Sequence, residues 1–87
     1  MYFTYVLKSK KYNRLYIGYS EDIQKRLKTH NRGKVKSTKH YRPYELVYYE
    51  SYEDKGEARE REIFLKSGQG KKFLEEKITN WRGGRAV

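Results

Sequence analysis

The sequence predicts an α+β domain: a small three-stranded antiparallel sheet flanked by helices, in the order β-β-α-β-α-α. Three observations carry this. Two runs rich in aromatic and β-branched residues, YFTYVLK (2–8) and RLYIGY (14–19), are joined by a short polar link and read as a hairpin. Helical stretches follow recognisable capping signals. Between the first two of them lies a third strand-like run, ELVYYE (45–50).

In chain order, Lys10, Lys11, Tyr12 and Asn13 make the polar turn of the hairpin. Gly18, near the end of the second strand, marks a close backbone approach or a bend. Ser20 is expected to cap the first helix, with Glu21 and Asp22 in its first turn, where acids favour the helix dipole. That helix should run to about His30 and stop at Asn31 and Gly33. With Ile23 set at zero, Leu27 falls at about +40°, His30 at about −20° and Arg26 at about −60°. His30 is therefore on the apolar face and Arg26 at its edge, while Gln24, Lys25, Lys28 and Thr29 point outward. Residues 31–44, NRGKVKSTKHYRPY, form a long basic loop in which Pro43 favours an extended Arg42. Asp54 and Glu57 resemble a capping box for a second helix over 55–66. Taking Ala58 as zero, Leu65 lies at about −20° and Glu62 at about +40°, so a carboxylate shares a face with two apolar residues. Ser67-Gly-Gln-Gly70 interrupts this helix, and KKFLEEKITNW (71–81) reads as a short last one with Phe73, Leu74 and Ile78 as its apolar residues. Residues 1–80 are expected to form one domain, and 81–87 a basic, flexible tail.

Composition narrows the function. The net charge is +10, from 21 Lys+Arg against 11 Asp+Glu. In so small a domain this excess marks a polyanionic partner. Nucleic acid is favoured, DNA ahead of RNA. A membrane surface is disfavoured, because no segment opposes a clean basic face with Trp, Phe and Leu. The absence of cysteine removes disulfides and thiolate metal sites. The apolar run at the amino end is too short for a signal-peptide core or a membrane span, which makes the cytoplasm the expected location. The ten tyrosines supply apolar packing with a polar tip, and tyrosine also stacks on bases.

Five residues are out of place in a plain core. Tyr5 and Tyr16 lie on paired strands, Arg26 and His30 are neighbours four apart on a helix, and Glu62 sits on an apolar face. Each alone has an ordinary reading: packing tyrosines, a snorkelling arginine, a core histidine, a solvated glutamate. Together, in this order and spacing, they resemble the GIY-YIG nuclease family. The second half of the name motif stands intact as Tyr16-Ile17-Gly18; the first half is Phe3-Thr4-Tyr5 and keeps the tyrosine alone. Ten residues separate the two tyrosines, and Arg26 lies ten after Tyr16, where the family has its catalytic arginine. His30 follows one turn later, where relatives carry His or Tyr. The stretch EAREREIFLKSGQGKKFL (57–74) is similar to the family's second helix and places its metal-binding glutamate at Glu62. The likeness runs over roughly residues 2–75 and is nearest to small stand-alone members without a separate DNA-binding domain. Tyr19 stands where some relatives carry a lysine near the scissile phosphate.

The resemblance implies a metal-dependent endonuclease that hydrolyses phosphodiester bonds in DNA, with structured or branched DNA in repair or recombination as the substrate. It implies one Mg²⁺ or Mn²⁺ ion held by Glu62. Arg26 would clamp a phosphate oxygen, and the hydroxyl of Tyr5 or Tyr16 would orient or deprotonate the attacking water. His30 would relay a proton or bind phosphate. Arg32, Lys34, Lys36, Lys39, His40 and Arg42 are expected to track the nucleic-acid backbone, without reading sequence. A protein partner could supply targeting, and the chain is expected to be a monomer or a weak dimer. One alternative is a catalytically idle nucleic-acid-binding module of the same fold. Another is an interaction protein with an acidic protein partner.

Overall fold

A computed structural model describes residues 1–87. The elements are β1 (Tyr2–Ser9), β2 (Arg14–Ser20), α1 (Ile23–Asn31), a 3₁₀ turn (Lys39–Tyr41), β3 (Tyr44–Tyr52), α2 (Lys55–Leu65), α3 (Gly68–Lys77) and β4 (Arg85–Ala86). The sheet runs in the order β3-β1-β2-β4. β1 is central and antiparallel to both of its neighbours, with Tyr5 opposite Gly18 on β2 and Tyr49 on β3.

Alternation along β1 sorts its side chains to two faces. Val6 joins Leu15, Ile17, Leu65, Leu74, Ile78 and Trp81 in a core beneath α2 and α3. Tyr5 and Leu7 join Ile23 and Tyr44 in a second core beneath α1. The sheet is thus covered by one helix on one face and two on the other, as an α+β domain requires.

Several expectations need correction. The first concerns the sheet, which has four strands rather than three and is mixed, because β4 pairs in parallel with β2 at Arg14 and Leu15. Backbone bonds from Ile17 N–H to Val87 O and from Val87 N–H to Leu15 O extend that contact. The tail reaches the edge because Trp81 is buried in the core, and because Gly84 passes so close to Asn13 and Trp81 that a Cβ would overlap them. Second, Asp22 caps α1, not Ser20: its Oδ1 accepts the Lys25 N–H at 3.1 Å. Ser20 is still paired with Phe3 in the ladder, so the strand retains it and the helix starts two residues later. Third, α3 begins at Gly68, inside the stretch expected to separate the helices. The Ser67 hydroxyl accepts the Gly70 N–H at 3.2 Å, and this cap outweighs the poor helix propensity of the two glycines. The Asp54 side chain makes no capping bond to α2.

Gly70 is a packing requirement. A Cβ there would overlap the Phe64 carbonyl and lie 2.5 Å from Leu65 Cα, where α3 turns against the end of α2. Gly70→Ala is expected to lower stability by about 2–3 kcal/mol, or roughly 10–20 °C in Tm. Chemical denaturation would measure it; an unchanged midpoint would contradict this packing.

Candidate active site

Past Ile17 the outer edge of β2 is free, since β4 pairs only near the hairpin end. The residues picked out in the sequence gather at this free edge. Gly18 explains why Tyr5 can join them. A Cβ on Gly18 would lie 2.8 Å from the Tyr5 hydroxyl and 3.2 Å from the Tyr16 ring, so the bare backbone lets the Tyr5 side chain cross β2. Tyr5 is 1 % exposed and its ring centre is 6.3 Å from that of Tyr16.

From the α1 face, the Arg26 guanidinium comes close enough for its charge to act on both the Tyr5 and the Tyr16 phenols. From the opposite face, α2 brings Glu62 close enough to act on Tyr5 electrostatically. A buried bond fixes α2 there: the Thr4 hydroxyl donates to Ala58 O at 2.7 Å, one turn before Glu62. Burial pushes the Tyr5 phenol above its ordinary value; the nearby Arg26 guanidinium opposes this, and the neighbouring Tyr16 and Glu62 add to it. The Arg26 guanidinium is held charged, chiefly by the neighbouring Tyr5 phenol.

His30 is fully buried, with its ring centre 4.5 Å from that of Tyr16. Its Nδ1 lies 2.8 Å from the Thr38 hydroxyl, which in turn donates to Val35 O. That hydroxyl therefore accepts from Nδ1–H, leaving Nε2 as a buried acceptor without a partner. Burial, then the charge of Arg26, lowers the His30 pKa to about 4. The ring is neutral at pH 7, which removes the positive charge a phosphate contact would use. The folded chain refuses a proton that the unfolded chain binds near 6.5. The stabilisation is therefore fully present above pH 6.5 and declines as pH falls toward 4, by about 3 kcal/mol at most. An NMR titration of the His30 ring is expected to show a midpoint near 4; a midpoint near 6.5 would contradict its burial.

Glu62 is the carboxylate that acts on Tyr5. Its side chain is 13 % exposed, Oε2 takes Lys66 Nζ at 2.8 Å, and Arg59 stays 3.9 Å from Oε1. Oε1 is buried and makes no hydrogen bond. No group of three or more His, Cys, Asp or Glu forms a metal cage. A single carboxylate oxygen free of hydrogen bonds suits a hard divalent ion that keeps its waters and shares its ligands with a substrate phosphate.

Beside these groups an open cleft of about 380 Å³ is lined by Tyr2, Tyr19, Ser20, Glu21, Arg26 and Lys55. The Arg59 guanidinium lies 5.7 Å from the centre of the Tyr19 ring. Lys55 and Arg59 thus bring positive charge beside Tyr19. Sequence reading missed both, though Arg59 is one turn before Glu62. It also missed Thr4 and Thr38, and the clamp in which Tyr48, Tyr52 and Arg61 converge on Glu50. Burial works against the Glu50 carboxylate, yet the bonds from Arg61, Tyr48 and Tyr52 hold it below its ordinary value.

The basic loop is elsewhere. Lys36, Lys39, His40 and Arg42 line a separate cleft near the hairpin turn, while Arg32 caps the end of α1 and Lys34 is exposed outside that cleft. Gly33 takes a positive φ of 76° as the chain leaves α1. The His30–Thr38 bond ties this loop to the tyrosines.

No helix is long and apolar enough to cross a membrane. YazA of Bacillus subtilis, named as a UPF0213 protein, is 46 % identical over 80 residues, covering 87 % of this chain and 80 % of that one. A UPF0213 protein of Staphylococcus aureus is 43 % identical over 74 residues, covering 84 % and 89 %. The solution structure of the UPF0213 protein BH0048 from Bacillus halodurans is similar, with a TM-score of 0.52 and 32 % identity over 87 % of this chain and 84 % of that one. The model of the GIY-YIG catalytic domain matches residues 1–78, and it takes in both tyrosines, Arg26, His30 and Glu62. With that match and those relatives, this chain belongs to the GIY-YIG family, whose nuclease-type catalytic domain it carries.

Proposed function

We propose that this protein is a metal-dependent endonuclease that hydrolyses phosphodiester bonds in DNA, with Tyr5, Tyr16, Arg26, His30 and Glu62 as its working residues. The observation that carries this reading is the cluster of Tyr5, Tyr16 and His30, whose ring centres lie 4.5 to 6.5 Å apart, with Arg26 and Glu62 close enough to act on the Tyr5 phenol. A binding module has no need of a guanidinium and a carboxylate set beside a buried phenol.

Glu62 Oε1 is the atom that would hold one Mg²⁺ or Mn²⁺, completed by substrate phosphate and water. When bound, the ion supplies Lewis-acid stabilisation of the charge that builds on the phosphate. Arg26 clamps a non-bridging oxygen with its planar fork, a task lysine performs less well. Tyr5, buried and pushed up, suits orientation better than proton abstraction. Tyr16 is half-buried and takes the role of handling the water's proton. His30 is too weak a base near 4 to keep that proton, so it acts by packing Tyr16 in place. Lys55 and Arg59 add charge at the cleft, and Arg32, Lys34, Lys36, Lys39, His40 and Arg42 hold the backbone beyond it. Such contacts position a substrate without reading its sequence, which favours structured or branched DNA recognised by shape.

The test is a labelled panel of duplex, single-stranded, flap and four-way-junction DNA, with RNA alongside. One or more DNA shapes should be cut in Mg²⁺. Salt-sensitive binding with no cutting across the panel would instead support the idle module of the same fold.

A further inference from the structure

At the hairpin end of the sheet, away from Tyr5, two open clefts meet at Lys11. One, of about 570 Å³, is lined by Lys11, Lys36, Lys39 and Arg42 among others. The second, of about 460 Å³, includes Lys8, Lys10, Lys11 and Arg82. Neither has an acidic residue in its lining. Tyr12 lines one and His40 the other, and their rings stack with centres 5.8 Å apart and planes at 28°. Tyr12 is 46 % exposed, and His40 is also open to solvent.

The fold holds this pair in place without any ligand. Tyr41 packs edge-on against both rings, at 5.4 and 4.9 Å, and carries the Arg14 guanidinium 4.0 Å from its own ring centre. The buried Ser9 hydroxyl accepts the N–H groups of Lys11 and Tyr12, at 3.2 and 3.1 Å, and donates to Tyr41 O at 2.6 Å. Lys10 N–H donates to Pro43 O at 2.9 Å. These bonds already join hairpin to loop, so a stack serving the fold alone would need neither its exposure nor the cations around it. Exposed aromatic rings between positively charged grooves match the demands of an unpaired nucleotide: a π-face for the base and cations for the flanking phosphates.

We infer that Tyr12 and His40, with the cations of the two adjoining clefts, form a base-stacking subsite for an unpaired stretch of nucleic acid. The subsite lies apart from the residues assigned to cleavage: Ser9, where β1 ends, is four residues from Tyr5, roughly 14 Å along the strand. The substrate would then have an unpaired segment held beside the bond to be cut. This rests on the nucleic-acid reading above and adds where, and in what form, the substrate is gripped.

The experiment is fluorescence anisotropy of the full chain in chelator with three probes. They are a labelled single strand of about 16 nucleotides, an abasic sugar-phosphate chain of the same length, and a blunt duplex. Tyr12→Ala should weaken single-strand binding roughly 5- to 150-fold and Tyr12→Phe should restore it. For the wild type, the abasic chain should bind more weakly than the normal strand by a similar factor, and in Tyr12→Ala that gap should close. Duplex binding should change little. The abasic comparison uses the wild type alone and holds even if the alanine variant folds poorly. Tight, salt-sensitive binding that ignores both Tyr12→Ala and the loss of bases would overturn the subsite and leave the nuclease reading intact. No binding to any probe would overturn both.

Discussion

Glu62→Gln is expected to reduce cleavage by about 10³-fold or more, while nucleic-acid binding survives or strengthens. The substitution keeps the shape of the side chain and removes the charge a divalent ion requires. Oε1 is the atom at issue, being buried and without a hydrogen bond. Little stability is at stake, since the pair with Lys66 is an i,i+4 contact near the surface, worth about 0.3–0.5 kcal/mol. The variant should therefore remain folded, as circular dichroism would show, and should bind DNA with at least wild-type affinity. Full activity in a folded Glu62→Gln would remove this carboxylate from the mechanism.

Arg26→Ala is expected to lower the single-turnover rate by about 10²–10³-fold, the usual cost of losing a fixed charged donor at a developing anion. Lys25→Ala, one residue earlier and exposed, should change it by no more than a few-fold. Arg26→Lys should recover only part of the loss, because an ammonium cannot present two parallel N–H groups to a phosphate. Removing Arg26 also takes away the nearby positive group that opposes the rise in the Tyr5 pKa. Equal, small effects at positions 25 and 26 would show that Arg26 merely lies along the helix edge.

Much of this was legible in the sequence because it depends on local periodicity. The 3.6-residue turn alone puts His30 inward and Arg26 at the edge of α1, and the structure buries the first and half-buries the second. The same reasoning puts Glu62 beside Ala58 and Leu65, both fully buried. What could not be read depends on contacts between distant residues. Nothing near Arg85 and Ala86 signals a strand; their pairing with β2 follows from Trp81 entering the core and Gly84 slipping past Asn13. Ser67 looked like part of a break because two glycines follow it, yet its hydroxyl starts α3 and Gly70 packs against α2. The proton state of His30 was equally hidden. Its position on the apolar face was plain, but its neutrality needs the surrounding burial and the nearby Arg26 charge. The basic loop read as one surface, whereas its cations divide between the cleft at Lys11 and the end of α1.

The nuclease mechanism requires that a divalent ion at Glu62 drive strand cleavage. The direct measurement is the single-turnover rate on the best DNA substrate of the panel, titrated with Mg²⁺ and with Mn²⁺ and repeated in chelator. The predicted result is a rate that rises with metal to saturation and vanishes in chelator. Cutting that persists in chelator, or bound DNA left intact at every metal concentration, would contradict it.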